Sequence, residues 1–303
     1  MPVMNSSQFN YSTIDISKNI KIMAVAEVKT FDKEWKQIIN KEGTDLKIEK
    51  MMGYEGIGAA PEKSEGADAV QGRIYEGNIE TILQATYAYE LPVTWEQRRF
   101  VVKDAKFLAQ LGQYLSRSMG LRYEYTSANV LNNGFTAGAT AGGDTFAYFS
   151  ASHTWTSGGT YDNLLTAADM TKTTLKAGIV EMSQATMEKS IPASLKIKQV
   201  IIPTGYIFDL PEILKSTLDP DTANNRYNAL QDYAITKTIN HYLSDADAWF
   251  MDSQVNTRTL YEADAPFFDD YLDNRPNNLV ERATTSIGAG FHHQTASFGN
   301  LGA

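Results

Sequence analysis

The sequence has no cysteine among its 303 residues. That excludes disulfides, thiolate nucleophiles, cysteine-type zinc sites and iron–sulfur clusters. A chain of this length buries a core large enough to do without disulfides, so the absence says little about compartment. Long apolar runs are missing as well. No stretch is long enough to cross a bilayer, and Met1 to Ile20 carry no uninterrupted apolar segment behind a basic start, so no signal peptide is expected. Basic charge is in short supply: 27 Lys and Arg stand against 36 Asp and Glu, for a net charge of -9. The basic residues are dispersed among acids, so the chain repels phosphate and offers no nucleic-acid patch and no reason to bind anionic membrane. Motifs for phosphate cradles, nucleophile elbows and two-histidine zinc helices are all absent. What is left is ordinary: 43% hydrophobic and 21% charged residues, the balance of a soluble globular protein.

The remaining candidates for chemistry are weak. Of the four histidines, His292 and His293 are adjacent, and neighbours on a strand point to opposite faces, a poor arrangement for a shared metal. His153 stands in a Ser/Gly-rich loop and reads as a loop hydrogen-bonder rather than a general base, while His241 belongs to no motif. Asp219-Pro220-Asp221 with Asn224 resembles a calcium loop but lacks the glycine at the sixth position, and Leu230 stands where the twelfth-position glutamate belongs. Asp245-Ala246-Asp247 is a D-x-D that could hold a metal beside a nucleotide-sugar phosphate in a glycosyl-transferring enzyme. Without a glycine phosphate loop it reads as a polar turn. No catalytic residue, metal ligand or cofactor is expected, and the chain is not expected to be an enzyme.

The pattern along the chain is more informative. Residues 1–45 form a polar arm with small apolar clusters, among them Phe31 and Trp35, and a short amphipathic helix around Asp32 to Asn40. Such an arm cannot bury much alone and must lie on something else. From Leu46 the apolar residues Leu46, Ile48, Met52 and Tyr54 alternate with polar ones, which is strand periodicity. A second alternating run carries Ile79, Leu83, Tyr87 and Tyr89 on one face and Glu80, Gln84 and Glu90 on the other, as one long strand. Between them, Glu55 to Gly77 is glycine-rich and acidic, a connection long enough to be functional or disordered. Together these residues describe a projecting hairpin whose dry face, left to itself, meets water. A long helix is expected from Glu96 to about Asn129, with Thr94 and Gln97 as a capping box and Phe107, Leu108, Leu111, Tyr114, Leu115 and Met119 at helical spacing. Residues 134–163 read as loop. A helix from Met170 to Lys189, a buried strand Ile197 to Ile202, and a helix carrying Ile207, Leu210 and Leu214 follow. After a polar turn come strands at Ala248 to Asp252 and Thr257 to Glu262, an acidic proline-bearing link from Asp264 to Asn278, and a last strand region ending near Asn300. The fold class is α+β.

The order of these parts resembles the tailed-bacteriophage major capsid family with the HK97-type fold. Phe149-Ser150-Ala151-Ser152-His153, then Gly158-Gly159-Thr160-Tyr161-Asp162-Asn163-Leu164, resemble a stretch that follows the spine helix in that family. Val200-Ile201-Ile202-Pro203 leading to Glu212-Ile213-Leu214 resembles its strand-then-helix, and Ala248-Trp249-Phe250-Met251-Asp252 a strand late in its axial domain. Thr154 departs from the proline common after that histidine. The resemblance implies an N-terminal arm at 1–45, an extended β-hairpin loop at 46–92, a peripheral domain with the spine helix at 93–169, an axial domain at 170–254, and a return to the peripheral domain at 255–303.

It further implies a shell subunit of pentamers and hexamers, an icosahedral container in the virion that encloses double-stranded DNA without sequence-specific binding. Assembly would occur in the host cytoplasm, with no membrane and with portal, scaffolding and possibly decoration proteins as partners. No scaffold-like helical segment precedes the arm, so scaffolding is expected from a separate protein or a removed segment. The implied subunit contacts are Phe31, Trp35, Tyr54, Glu62, Lys63, Glu65, Arg73, Tyr75, Leu83, Tyr87 and Tyr89. The implied capsomer centre is Asp219, Asp221, Asn224, Asn225, Arg226 and Tyr227. Lys63 is the only lysine between Lys50 and Lys103 and so the candidate for a cross-link to Asn277 or Asn278 of a neighbour, as some members of the family form. An encapsulin-like nanocompartment is the nearest rival.

Overall fold

The computed structural model describes residues 33–100, 105–138, 144–216, 227–254, 257–273, 277–292 and 294–303. A short helix α1 (Trp35–Ile38) leads into β1 (Asn40–Gly43), and β2 (Ile48–Glu55) and β3 (Tyr75–Leu83) form an antiparallel hairpin. β4 (Ala85–Val93) precedes helices α2 (Trp95–Phe100) and α3 (Ala105–Asn132). The capping box holds: Thr94 N–H donates to Gln97 Oε1 at 3.1 Å and Gln97 N–H to Thr94 Oγ1 at 3.2 Å. At about 1.5 Å per residue, α3 spans roughly 40 Å. Of the helical residues singled out by spacing, the side chains of Phe107 and Leu108 lie outside the described set.

Two four-stranded sheets carry the body. In the first, β1 pairs parallel with β10 (Arg258–Asp273), which pairs antiparallel with β11 (Asn278–Phe291), and β11 with β4. α3 lies against it, with Leu115 and Met119 buried beside Ala283 of β11. In the second, β12 (Ser297–Asn300), β9 (Trp249–Ser253), β7 (Ile197–Ile202) and β8 (Thr236–Ile239) run in that order. Helix α4 (Lys172–Gln184) packs on it through Leu175, Ile179 and Met182, and α5 (Asp209–Lys215) through Leu210. A two-residue pair, β5 (His153–Thr154) with β6 (Thr160–Tyr161), bridges from the loop region.

The second sheet is dry on both sides. Phe250 of β9 enters the cluster of Tyr148, Phe149, Leu260 and Phe291, while Trp249 and Met251 on either side of it enter the cluster of Leu175, Met182 and Phe298. β7 divides in the same way, Ile201 to the first and Val200 and Ile202 to the second. A strand's period of two thus serves two cores at once. Buried polar groups stitch the layers. Asn163 is fully buried; its amide donates to the carbonyls of Tyr148, Gln294 and Ser297 at 2.9, 3.0 and 3.2 Å, and its oxygen accepts Ser150 N–H at 2.8 Å. Arg258 pairs with Asp252 and donates its Nε–H to Ile38 O at 2.8 Å. Gly299 has no room for a side chain, since a Cβ there would stand 2.6 Å from the Phe149 ring.

Several expectations from sequence need correction. The helix around Asp32 to Asn40 is only the four residues of α1, followed by a strand. Trp35 is no surface anchor: with Ile38 and Ile39 it is buried in this chain's own core, 5.7 Å from the Tyr123 ring. The long second strand is two strands. The hairpin register runs on through Gln84, whose N–H donates to Lys47 O at 2.9 Å, and from Ala85 the chain pairs with the first sheet instead. Gly288 permits this crossing, because a Cβ there would stand 2.6 Å from Leu83 O. The acidic link from Asp264 to Asn278 is largely the continuation of β10, with register shifts around Pro266 and an Asp269–Arg282 ion pair across to β11. The helix expected to Lys189 stops at Gln184, and Thr186 bridges to Pro192 instead. Strand β8 was not expected. The final strand β12 joins the second sheet, so residues from 255 onward do not all return to the first.

Candidate assembly surface

The two faces of the β2–β3 hairpin differ. Residues directly opposed in an antiparallel pair share a face. Ile48 opposes Leu83, Lys50 opposes Thr81, and Met52 opposes Ile79. All four apolar members of these pairs are exposed, Ile79 at 51% and Leu83 at 59%. Tyr54, Tyr75 and, in the connecting loop, Ile57, Val70 and Ile74 extend the exposed apolar ground. Fully burying one such aliphatic side chain is worth about 1.5–3 kcal/mol, so covering this row is worth several kcal/mol.

The other face rests on the chain's own body. Glu49 opposes Ile82 and Met51 opposes Glu80. Ile82 and Glu80 are buried, the reverse of the wet role expected for the glutamate's side. Ile82 fills the space that Gly290 leaves open on β11. The tip-proximal end is held by Glu55, whose two carboxylate oxygens accept the N–H groups of Thr156 and Ser157 at 2.5 and 2.6 Å. Burial alone would raise its pKa, but the hydrogen bonds from Ser157 and Thr156 outweigh it and hold the carboxyl below the usual range. Gly56 N–H donates to Glu188 Oε1 at 2.8 Å, and Tyr261 O–H reaches Met51 Sδ at 3.1 Å. The hairpin is therefore a docked finger with its oily side outward. The connection between its strands, with Glu62, Lys63, Glu65 and Arg73 all exposed, has no helix or strand of its own.

A second open surface lies between β4 and α3. It is a groove of about 630 Å³ lined by Tyr87, Tyr89, Leu91, Tyr114, Met119 and Tyr125, among others. Tyr89, Tyr114 and Tyr125 are exposed. The guanidinium of Arg122 stands 3.7 Å from the centre of the Tyr87 ring. Tyr114, read at helical spacing with Leu115 and Met119, is exposed whereas those two are buried. Its signal was present: Tyr114 and Tyr125 are eleven residues apart, about three turns, and so share a helix face.

The other sequence candidates fall apart as sites. Phe31, Asp219, Asp221, Asn224, Asn225, Arg226 and His293 lie outside the described residues. Tyr227 is exposed, its O–H donating to Asp232 at 2.7 Å. Asp245 caps its own turn, accepting Asp247 N–H at 2.9 Å. His153 is fully buried between Asp144 Oδ2 at 2.5 Å and the Tyr148 carbonyl at 3.2 Å. His241 meets Glu34 at 2.7 Å and His292 meets Thr259 Oγ1 at 2.8 Å. Among the described residues, no group of three or more His, Asp or Glu is placed to hold a metal ion, and no helix is long and apolar enough to cross a membrane.

A long helix across one sheet, a second sheet lobe, and a docked hairpin with an open apolar face define the fold of a viral shell subunit. Solved shells share it. The mature capsid of bacteriophage PhiM1 superposes with a TM-score of 0.56 at 12% identity, covering 89% of this chain and 87% of that one. The capsid of an empty GTA particle gives 0.53 at 11%, covering 89% and 90%. A phage-related protein from Bordetella bronchiseptica gives 0.53 at 13%, covering 92% and 95%. No curated protein matches the sequence. The family model for phage capsid protein matches residues 79–294. The chain belongs to the phage capsid protein family, structural proteins of the virion shell, and is a major capsid protein of the HK97 type.

Proposed function

We propose that this chain self-assembles into the pentamers and hexamers of an icosahedral head that encloses double-stranded DNA. The observation that carries the reading is the hairpin, anchored on its inner face and apolar on its outer one. In the assembled shell that outer face, with Ile48, Met52, Ile79 and Leu83, lies on a neighbouring subunit. The groove between β4 and α3, with Tyr87 and Tyr89, is the receiving surface that suits it in shape and polarity. Tyr54, Tyr75, Glu62, Lys63, Glu65 and Arg73 then stand at the contact, and the segment from Asp219 to Tyr227 at the capsomer centre. The peripheral unit comprises the first sheet and α3; the axial unit comprises the second sheet with α4 and α5. The role is non-enzymatic, and the D-x-D supports this by serving as a turn. Assembly takes place in the host cytoplasm, with scaffolding, portal and decoration proteins as further partners and the DNA held without sequence readout by an acidic chain.

The test is electron microscopy of particles formed by the full-length chain in infected or expressing cells, followed by nuclease treatment and denaturing mass analysis. Closed shells with protected DNA are expected. Enclosed protein cargo in place of DNA points to a nanocompartment, and a protein that stays monomeric at high concentration overturns the proposal. The same mass analysis reads the proposed Lys63 link, in which the lysine amine displaces ammonia from Asn277 or Asn278 of a neighbour. Monomer mass alone removes it.

A further inference from the structure

Beneath the hairpin, where its tip-proximal half meets the β5–β6 pair and the second lobe, lies a cavity of about 320 Å³. That is far more than one water needs. Its walls include the carboxylates Glu55, Glu80 and Glu188, and among the described residues no lysine or arginine lines it. Two of the three carboxylates are engaged: Glu55 by Thr156 and Ser157, Glu188 by Gly56. Glu80 is not. It is 3% exposed, and its Oε2 has no hydrogen-bond partner. The Tyr161 hydroxyl and the Trp155 indole N–H, on two neighbouring wall residues, are also unpartnered. The two rings stand 4.9 Å apart and His153 stacks on Tyr161 at 4.8 Å, so of the two it is Trp155 that keeps a π face to offer.

A buried carboxyl without a partner is costly, and protein interiors leave few such groups. The surroundings make it worse for an anion. Behind Glu80, Asp144 is occupied by His153, and burial together with the Asp144 charge pushes the Glu80 carboxyl up to about 9. His292, also in the wall, has its Nε2 against Thr259 Oγ1. An acidic, roomy pocket with aromatic walls and an unpaired carboxyl suits an organic cation, which supplies donors to the oxygens and a charge for the Trp155 ring face.

We propose that this cavity is a binding site for an ammonium or guanidinium group, held by Glu80 and the Tyr161 hydroxyl against the Trp155 ring. The cation comes either as a free alkylamine or as a lysine or arginine side chain of a second copy of this chain. In both cases it fastens the tip-proximal half of the hairpin, because Glu80 belongs to β3 and Trp155 and Tyr161 to the body. Binding displaces the Glu80 proton to solvent, so affinity rises about tenfold per pH unit below about 9.

The probe is ethylammonium, added to the unassembled full-length chain at constant ionic strength with sodium as the control ion. Saturable thermal stabilisation is expected, tightening from pH 6 to pH 8, absent in Glu80→Gln and weakened several-fold in Tyr161→Phe. No saturable stabilisation, or an equal one in Glu80→Gln, overturns the proposal. Should Glu80→Gln fail to fold, the Tyr161→Phe comparison and the pH slope decide alone. Amine-selective and guanidine-selective labelling before and after assembly separates the sources. A side chain protected only in wild-type shells identifies the neighbour's cation, whereas an amine released from denatured shells identifies a free one. Neither result in wild-type shells also overturns it. Shell formation is scored separately, so a chain that assembles normally yet ignores ethylammonium refutes this site and leaves the capsid assignment standing.

Discussion

Strand β9 and the hairpin β2–β3 are built from the same alternation and meet opposite environments. In β9, Trp249, Phe250 and Met251 point alternately to two faces, and each face finds a core made by this chain. In the hairpin, one face finds Gly290, Thr156, Ser157 and Tyr261 of the same chain, and the other is left exposed among the described residues. Alternation states that a strand has two faces. It does not state what covers them. The polar-looking side of the hairpin is the one its own body buries, and the apolar side is the exposed one. For a shell subunit this is the arrangement the proposed assembly needs, with a face left bare for a neighbour to cover.

The comparison requires that the two regions respond differently to damage. The largest loss of subunit stability is expected inside. Arg258 is 1% exposed and pairs with Asp252 while donating to Ile38 O, so it joins β10, β9 and the residues just before β1. Arg258→Ala leaves a buried carboxylate unpaired and removes about 3–5 kcal/mol. Urea unfolding of the unassembled chain reads this directly, and a loss under about 1 kcal/mol would mean that the pair behaves as a surface one.

A smaller, pH-dependent effect belongs to Glu124. This fully buried residue on α3 accepts Trp35 N–H at 2.9 Å through one oxygen, while the other has no partner. Burial, with the Glu34 charge adding to it, raises its pKa from 4.5 to about 7. Between those values the folded chain keeps a proton that the unfolded chain has released, so stability falls as pH rises across that window. Glu124→Gln should flatten this fall in thermal unfolding measured from pH 5 to pH 7. An unchanged slope would place the titration elsewhere.

Much of this division was legible in the residues. The β7 and β9 strands, α4, and the capping box at Thr94 follow from local pattern alone, since buried strands and capped helices carry their own signatures. The HK97-type fold was legible from the order of parts. The sheet switch after Gln84 was not, because it depends on Gly288, some two hundred residues away in sequence. Nor was the interior place of Trp35, since an amphipathic turn looks alike whether its partner is the same chain or another. The groove residues Tyr114 and Tyr125 were hidden by a helix whose apolar residues occupy more than one face. Glu80 looked like solvent-facing polarity, and only the fold reveals that it lies beneath the finger.

The smallest effect on the subunit should be the most damaging to the shell. Ile79 is half exposed and opposes Met52 on the hairpin's outer face. Ile79→Asp removes no internal contact that the second face depends on, and a surface substitution of this kind changes stability by about 0.5 kcal/mol or less. In the assembled particle the same carboxylate would lie against an apolar surface without a partner, where an unpaired charge is strongly unfavourable. Ile82→Asp, three residues along and buried on the opposite face, reverses the roles: it should unfold or detach the hairpin before assembly is ever attempted. Circular dichroism with urea unfolding reads the subunit, and sedimentation of particles reads the shell. If Ile79→Asp forms normal shells, the outer face is not the contact. If it unfolds the subunit as Ile82→Asp does, the hairpin has one common role for both faces and the contrast with β9 fails.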